Sequence, residues 1–222
     1  ITLNSAELDE TMALAKEKGL VMAEAMTIYH MPLYKKLREI LDAGTLGKVN
    51  LLTMNFGSFK EYDENNRFFN RNLAGGAMLD IGVYALSFVR WFLDSKPDQL
   101  LSQVRTASTG VDEQSGLLLT NQEGQMATVM LSLHSKQPKR GMISCEKGYI
   151  EIMEYPRAGE AKVTYTDTGK MEIIEAGDNA DALYYEVLDM EHAIIGGDAS
   201  AMQLSFSKDV MDLMTAFRKE WG

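Results

Sequence analysis

The sequence holds a single cysteine, Cys145, among 222 residues. One thiol cannot close an internal disulfide. The three histidines do not join it in any cluster with zinc-site spacing, so no metal is expected. Cys145 lies in an apolar strand-like stretch and reads as a small core residue. Cations are also scarce, with 22 Lys and Arg against 32 Asp and Glu and a net charge of -10. Binding to a nucleic-acid backbone or to an anionic membrane needs clustered basic residues, so neither partner is expected. No apolar run of about 18 residues is free of charge, and none follows a basic opening segment, so neither a spanning helix nor a signal peptide is predicted. The expected location is cytoplasmic. The sequence also has no G-x-G-x-x-G: Gly75-Gly76 and Gly196-Gly197 lack the spacing, and neither follows a strand as a dinucleotide loop must.

Hydrophobic residues make up 45% of the chain and charged residues 24%, enough apolar material to bury a core. Residues 1–26 read as a helix followed by a strand. Asn4 caps the helix with Glu7 three residues on, Leu8, Met12 and Ala15 recur at helical spacing, and Gly19 ends it. "LVMAEAM" then reads as a short apolar strand. One α–β unit cannot make a parallel sheet, so the chain is expected to begin inside a larger unit. Pro32 opens a second helix that Gly44 stops.

From residue 48 the pattern alternates as a strand, and residues 59–74 lack any period, which predicts a long loop of the kind that often carries function. Residues 98–174 contain five or more short alternating segments separated by Gly, Asp or Pro turns, the pattern of an antiparallel sheet. Two helices, over 181–195 and 205–220, close the chain. The fold class is therefore α+β, with an open, mainly antiparallel sheet and helices on one face. In residues 125–135, Ala127, Val129, Leu131 and Leu133 would face the helices. Met126, Thr128, Met130, Ser132 and His134 would form a half-polar outer face suited to a homodimer.

"GGAMLDIGVYALSFVRWFL", residues 75–93, stands apart. It reads as a helix over 76–93 that is apolar on nearly every side, and positions i, i+4, i+7 and i+11 share one face. Asp80, Tyr84, Ser87 and Trp91 would form a polar stripe, while Leu79, Ile81, Val83, Leu86, Phe88, Val89 and Leu93 pack inward. Spacing alone leaves two readings open. Asp80 can serve as a first-turn carboxylate on the helix dipole and Tyr84 as a packed ring with a tied hydroxyl. Alternatively, the pair faces a cleft where the phenol exchanges a proton with a substrate hydroxyl. An ordinary phenol titrates near about pH 10, so the second reading calls for a nearby cation.

The stretch resembles the Gly-Gly-x-x-x-Asp-x-Gly-x-Tyr helix of the Gfo/Idh/MocA oxidoreductases, in the branch of dimeric dihydrodiol dehydrogenase and glucose–fructose oxidoreductase. The likeness extends to "EAMTIYHMPLYKKLREILDAGTLGKV", "VDEQSGLLLTNQEGQMATVMLSL", "CEKGYIEI" and "SFSKDVMDLMTAFRKEWG", five segments in order over nearly all of the chain. It implies that residues 1–26 are the end of a Rossmann nucleotide-binding domain and residues 27–222 a substrate-binding and dimerisation domain. It implies NAD or NADP as cofactor in the whole protein, bound only weakly by this stretch alone. It gives Tyr84 the acid/base role and Asp80 the placing of substrate, and a Lys ahead of this sequence would tune Tyr84.

The family's Trp-x-Arg after "EAM" is replaced by Thr27 and Tyr29, which leaves the substrate open. Arg67 in the long loop, His30 beside Pro32, and Tyr29 are the further substrate-binding candidates, while His134 and His192 read as non-catalytic. The implied function is hydride transfer between a nicotinamide and a sugar, polyol or related secondary alcohol. A non-catalytic ligand sensor of the same fold, or a bare dimerisation module, are the alternatives.

Overall fold

The computed structural model describes all of residues 1–222. Helix α1, Ser5–Glu17, starts where expected: the Asn4 side chain accepts the Glu7 backbone N–H at 3.0 Å. The Glu7 carboxylate reaches back to the Leu3 N–H at 2.9 Å. The short helix α2, Thr27–His30, leads into α3, Pro32–Asp42, which buries Leu33, Tyr34, Leu37 and Leu41 on one stripe.

Eight strands follow: β1 Val49–Gly57, β2 Gln99–Thr106, β3 Asp112–Thr120, β4 Met126–Ser132, β5 Gln137–Cys145, β6 Gly148–Met153, β7 Glu160–Tyr165 and β8 Met171–Glu175. They form one sheet in the order β2-β3-β4-β1-β5-β6-β7-β8. Every pairing is antiparallel except β1 with β4, where Leu52 lies opposite Ala127 and Met54 opposite Val129. One face carries Leu52, Met54, Phe56, Leu117, Ala127, Val129, Leu131, Ile143 and Ile150, all buried. Helices α4 (Val83–Phe92) and α6 (Leu204–Trp221) contribute Leu86, Phe88, Phe92, Leu213 and Phe217 to the same core. The other face exposes Met126 and Met130, together with Leu51, Leu101, Tyr149 and Met153. Helix α5, Ala182–Gly196, lies against α2.

Two expectations are corrected. Residues 20–26 form neither helix nor strand, because the sheet offers them no neighbour and an apolar run becomes a strand only when its backbone groups find a ladder. The helix expected over 76–93 starts as a π turn, Met78–Gly82, and becomes α-helical only at Val83. By length and composition alone residues 71–92 would suffice to cross a bilayer. Over half of the stretch is buried in the core, and that burial accounts for its apolarity.

Candidate active site

The loop that precedes the apolar helix folds back on it. Asn70 caps a single turn of 3-10 helix, Arg71–Leu73, by accepting the Asn72 N–H at 2.9 Å. The N–H of Gly76 then donates to the Phe68 carbonyl at 2.9 Å. Gly76 has φ +114°, and a Cβ there would stand 2.2 Å from Oδ1 of Asp112. A side chain is thus excluded twice, by backbone conformation and by space. The carboxylate needs that space because Oδ2 of Asp112 accepts the Met78 N–H at 2.6 Å, satisfying a donor in the first turn of the helix. Further on, a Cβ at Gly82 would lie 2.9 Å from Cδ1 of Leu131, so the missing side chain lets the helix seat directly on β4. The π turn between these two points holds Asp80. Such one-residue excesses recur at functional positions in helices.

The fold-back brings Arg67 to Asp80, with Nη2 2.6 Å from Oδ1. Asp80 is 15% exposed and Arg67 60%. So open a pair contributes about 1 kcal/mol at most, and its consequence is to fix where the carboxylate points. The Arg67 guanidinium lies over the Phe68 ring at 4.4 Å, and the Lys60 ammonium over the same ring at 4.2 Å. One turn beyond Asp80, the half-buried Tyr84 packs its ring 6.3 Å from Phe56 of β1. Its hydroxyl takes no part in the hydrogen bonds within the chain. A phenol supported by apolar packing with an unengaged O–H is free to bond an incoming hydroxyl.

The polar stripe expected along the helix is shorter than its spacing implied. Ser87 and Trp91 are buried, the latter donating its indole N–H to the Tyr34 carbonyl at 3.3 Å. Only Asp80 and Tyr84 are open, and none of the well-formed cavities is lined by either. Tyr29 and His30 are corrected more fully, because the structure places both inside the core. Tyr29 is 1% exposed, stacked on Trp91 at 5.7 Å and edge-on to Phe206 at 6.1 Å. His30 is 2% exposed, its Nδ1 2.8 Å from Oδ2 of Asp189 on α5, which also holds Lys35 at 2.8 Å. Burial keeps the His30 imidazole below its ordinary pKa despite that carboxylate. Neither residue is accessible to a ligand from solvent. Of the remaining histidines, His134 bonds the buried Glu113 at 2.5 Å and His192 is on the surface. Cys145 is half-buried, and burial pushes its thiol up to about 11.

Asp112 is the residue the sequence did not reveal. Only 6% exposed, it meets the helix from the start of β3, and no local pattern links it to a turn more than thirty positions earlier. Burial pushes its carboxyl up to about 6, against the pull of the Met78 and Ala77 N–H groups. The folded protein therefore holds this proton more tightly than the unfolded chain does. The resulting stabilisation is complete below about pH 4 and lost as the pH rises through about 6. Asp112→Asn removes the titration. The stability of the native chain relative to that variant should fall by roughly 2 kcal/mol between pH 4 and pH 7 in urea unfolding. A difference that grew with pH would refute the assignment.

Residues 34–151 match the GFO/IDH/MocA C-terminal domain. The chain belongs to the Gfo/Idh/MocA family. Mouse trans-1,2-dihydrobenzene-1,2-diol dehydrogenase is 30% identical over 153 residues, covering 68% of this chain and 45% of the mouse protein. The Xenopus laevis protein of the same name is 24% identical over 230 residues, covering all of this chain and 69% of its own length. The chain spans about half the length of most of the curated relatives it matches.

Among solved structures, the aldose–aldose oxidoreductase of Caulobacter crescentus, complexed with glycerol, superposes with a TM-score of 0.83 at 19% identity. That match covers 99% of this chain and 68% of the other. A 3-ketoreductase from Actinomadura kijaniata, in complex with NADP and TDP-benzene, gives 0.84 at 18% identity over 97% and 67% of the two chains. At these identities the likeness is one of fold. It agrees with the α+β architecture and with the open, mainly antiparallel sheet of this Gfo/Idh/MocA chain.

Proposed function

We propose that this chain is the substrate side of a nicotinamide-dependent oxidoreductase acting on a secondary alcohol of a sugar, polyol or related diol. The observation that carries the reading is the pair on the helix: an Asp80 carboxylate fixed by Arg67, and one turn on a Tyr84 hydroxyl with no partner in the chain. Family membership and the names of the relatives support it. Oxidising an alcohol removes a hydride from carbon and a proton from oxygen. A nicotinamide held by a separate domain would supply the hydride acceptor. In the oxidation direction Tyr84 acts as the phenolate, a form that needs a cation nearby, and takes the substrate O–H proton; in the reverse direction the phenol gives that proton back. Asp80 accepts a hydrogen bond from a substrate hydroxyl, and Arg67 keeps that carboxylate turned outward. Phe56 holds the Tyr84 ring from behind.

The residues present do not fit a dinucleotide site. No glycine-rich turn follows a strand, and residues 20–26 join no sheet, so no helix N-terminus is placed to receive a pyrophosphate. In this reading NAD or NADP is held by a separate nucleotide-binding domain to which residues 1–26 belong, while residues 27–222 bind substrate and dimerise. The 222-residue chain should accordingly show no micromolar affinity for NADP or NAD in calorimetry. Micromolar binding would overturn that division of labour.

The same reading makes the protein a homodimer through the outer sheet face. Met130 is 54% exposed at the middle of that face, beside Met126 and opposite Gly116 of β3. Closed two-fold pairs are the commonest assemblies, and a mixed Met/Thr surface suits one. Met130→Glu should convert the dimer to monomer in sedimentation at micromolar concentration. An unchanged sedimentation coefficient would place the contact elsewhere.

A further inference from the structure

Two cations share one aromatic ring next to the Asp80 carboxylate in a chain whose net charge is -10. Lys60 comes from the start of the long loop and Arg67 from its middle, and both lie against one ring, Phe68. Each is held there independently. The Lys60 backbone N–H donates to the Leu133 carbonyl at 2.8 Å, extending the end of the sheet, and Arg67 is tied to Asp80. The Lys60 ammonium has no carboxylate partner at all. Asp80 engages Nη2 of Arg67 and leaves other guanidinium donors unused. The acidic residues of the same loop do not neutralise them: Asp63 is turned onto the N–H groups of Asn65, and neither Glu61 nor Glu64 forms an ion pair. Lys139, the next cation along, sits over Phe56 but is already paired with Glu154 at 3.1 Å. Both cations are held at one ring, Arg67 with a single carboxylate partner and Lys60 with none, so each keeps donors open to an anion.

We infer that Lys60 and Arg67, braced on Phe68, form an anion subsite beside Tyr84, so that the preferred substrate carries a carboxylate or a phosphate as well as the reacting hydroxyl. The inference rests on the oxidoreductase reading only in assigning the anion to the substrate. Guanidinium and ammonium groups with free donors give charge-assisted bonds to either oxyanion. The neutral part of the molecule then extends toward Asp80 and Tyr84.

The test compares three probes of like size, D-glucuronate, D-glucose 6-phosphate and D-glucose, on the full-length protein at low ionic strength. It uses calorimetric affinity and NADP-linked kcat/KM, each for the native protein and for Lys60→Gln. One of the charged probes should bind about tenfold or more tighter than glucose, with the advantage shrinking as salt is added and largely lost in Lys60→Gln. Which of the two gains more identifies carboxylate or phosphate. Equal affinity for all three, no detectable binding of either charged probe, or an advantage that survives Lys60→Gln overturns the subsite. Turnover of glucose without preference for charge removes the subsite and leaves the oxidoreductase standing. Charge-dependent, Lys60-dependent binding with no hydride transfer to any probe leaves the subsite and removes the reaction.

Discussion

If the proposed oxidoreductase reading holds, Tyr84→Phe in the full-length protein should lower kcat by about 100-fold or more, the lower end of what a positioned acid or base contributes. The ring stays, and with it the packing against Phe56 at 6.3 Å. The hydroxyl engages no group of the chain, so removing it breaks no internal hydrogen bond and should change stability by no more than about 0.5 kcal/mol. That separation makes the variant informative. Turnover and kcat/KM should fall together, because the lost interaction is made with a proton in flight rather than with the resting substrate. Circular dichroism and urea unfolding should match the native protein. Near-native turnover on the best substrate would return the residue to a packing role and leave the sensor reading as the better one.

Gly76→Ala should cost roughly 2–5 kcal/mol of stability. Forcing a side chain into φ +114° costs on the order of 1–3 kcal/mol. The added Cβ would stand 2.2 Å from Oδ1 of Asp112, so the carboxylate must move and its 2.6 Å bond to the Met78 N–H, a cap worth about 0.5–2 kcal/mol, is lost. Because both losses converge on Asp112, the double variant Gly76→Ala with Asp112→Gly should be less damaged than the sum of its parts. Equilibrium urea unfolding of the four proteins measures this directly. A loss under about 1 kcal/mol, or simple additivity, would show that the turn relaxes without involving the carboxylate.

How much of this was legible beforehand depends on the range of the interaction concerned. The Asn4–Glu7 cap, the Pro32 start and the alternating strands are local, set by residues within a few positions, and they stand where the pattern put them. The buried face of β4 followed from period two alone. Residues 20–26 misled because apolar content signals burial or pairing, and pairing depends on what lies alongside. Tyr29 and His30 misled for a related reason: a polar tip next to a junction says nothing about whether Trp91, Phe206 and Asp189 will close over it.

In the helix, spacing correctly put Asp80 and Tyr84 on adjacent turns. It could not show that Ser87 and Trp91 would be covered, or that the first turn would be wide. The Arg67 contact was available as a charge in a loop without an address. Asp112 was invisible, since its partner is fixed by tertiary structure and its neighbours in sequence carry no helical or strand period that marks it.

The lone parallel ladder also governs the order in which the molecule can be made. Leu52 cannot meet Ala127 until the chain between them has been synthesised, and the helix bearing Asp80 and Tyr84 lies inside that interval. During translation β1 has no antiparallel neighbour either until β5 emerges from the ribosome. The helix can coil early, but the floor it rests on, Leu131 beneath Gly82, and the Asp112 that caps it both arrive later in the chain. Closing so long a loop is entropically slow, and contacts this distant in sequence are associated with slow folding. The apolar sides of the helix therefore lack their partners until β3 and β4 have been made, an interval in which unburied apolar surface favours aggregation.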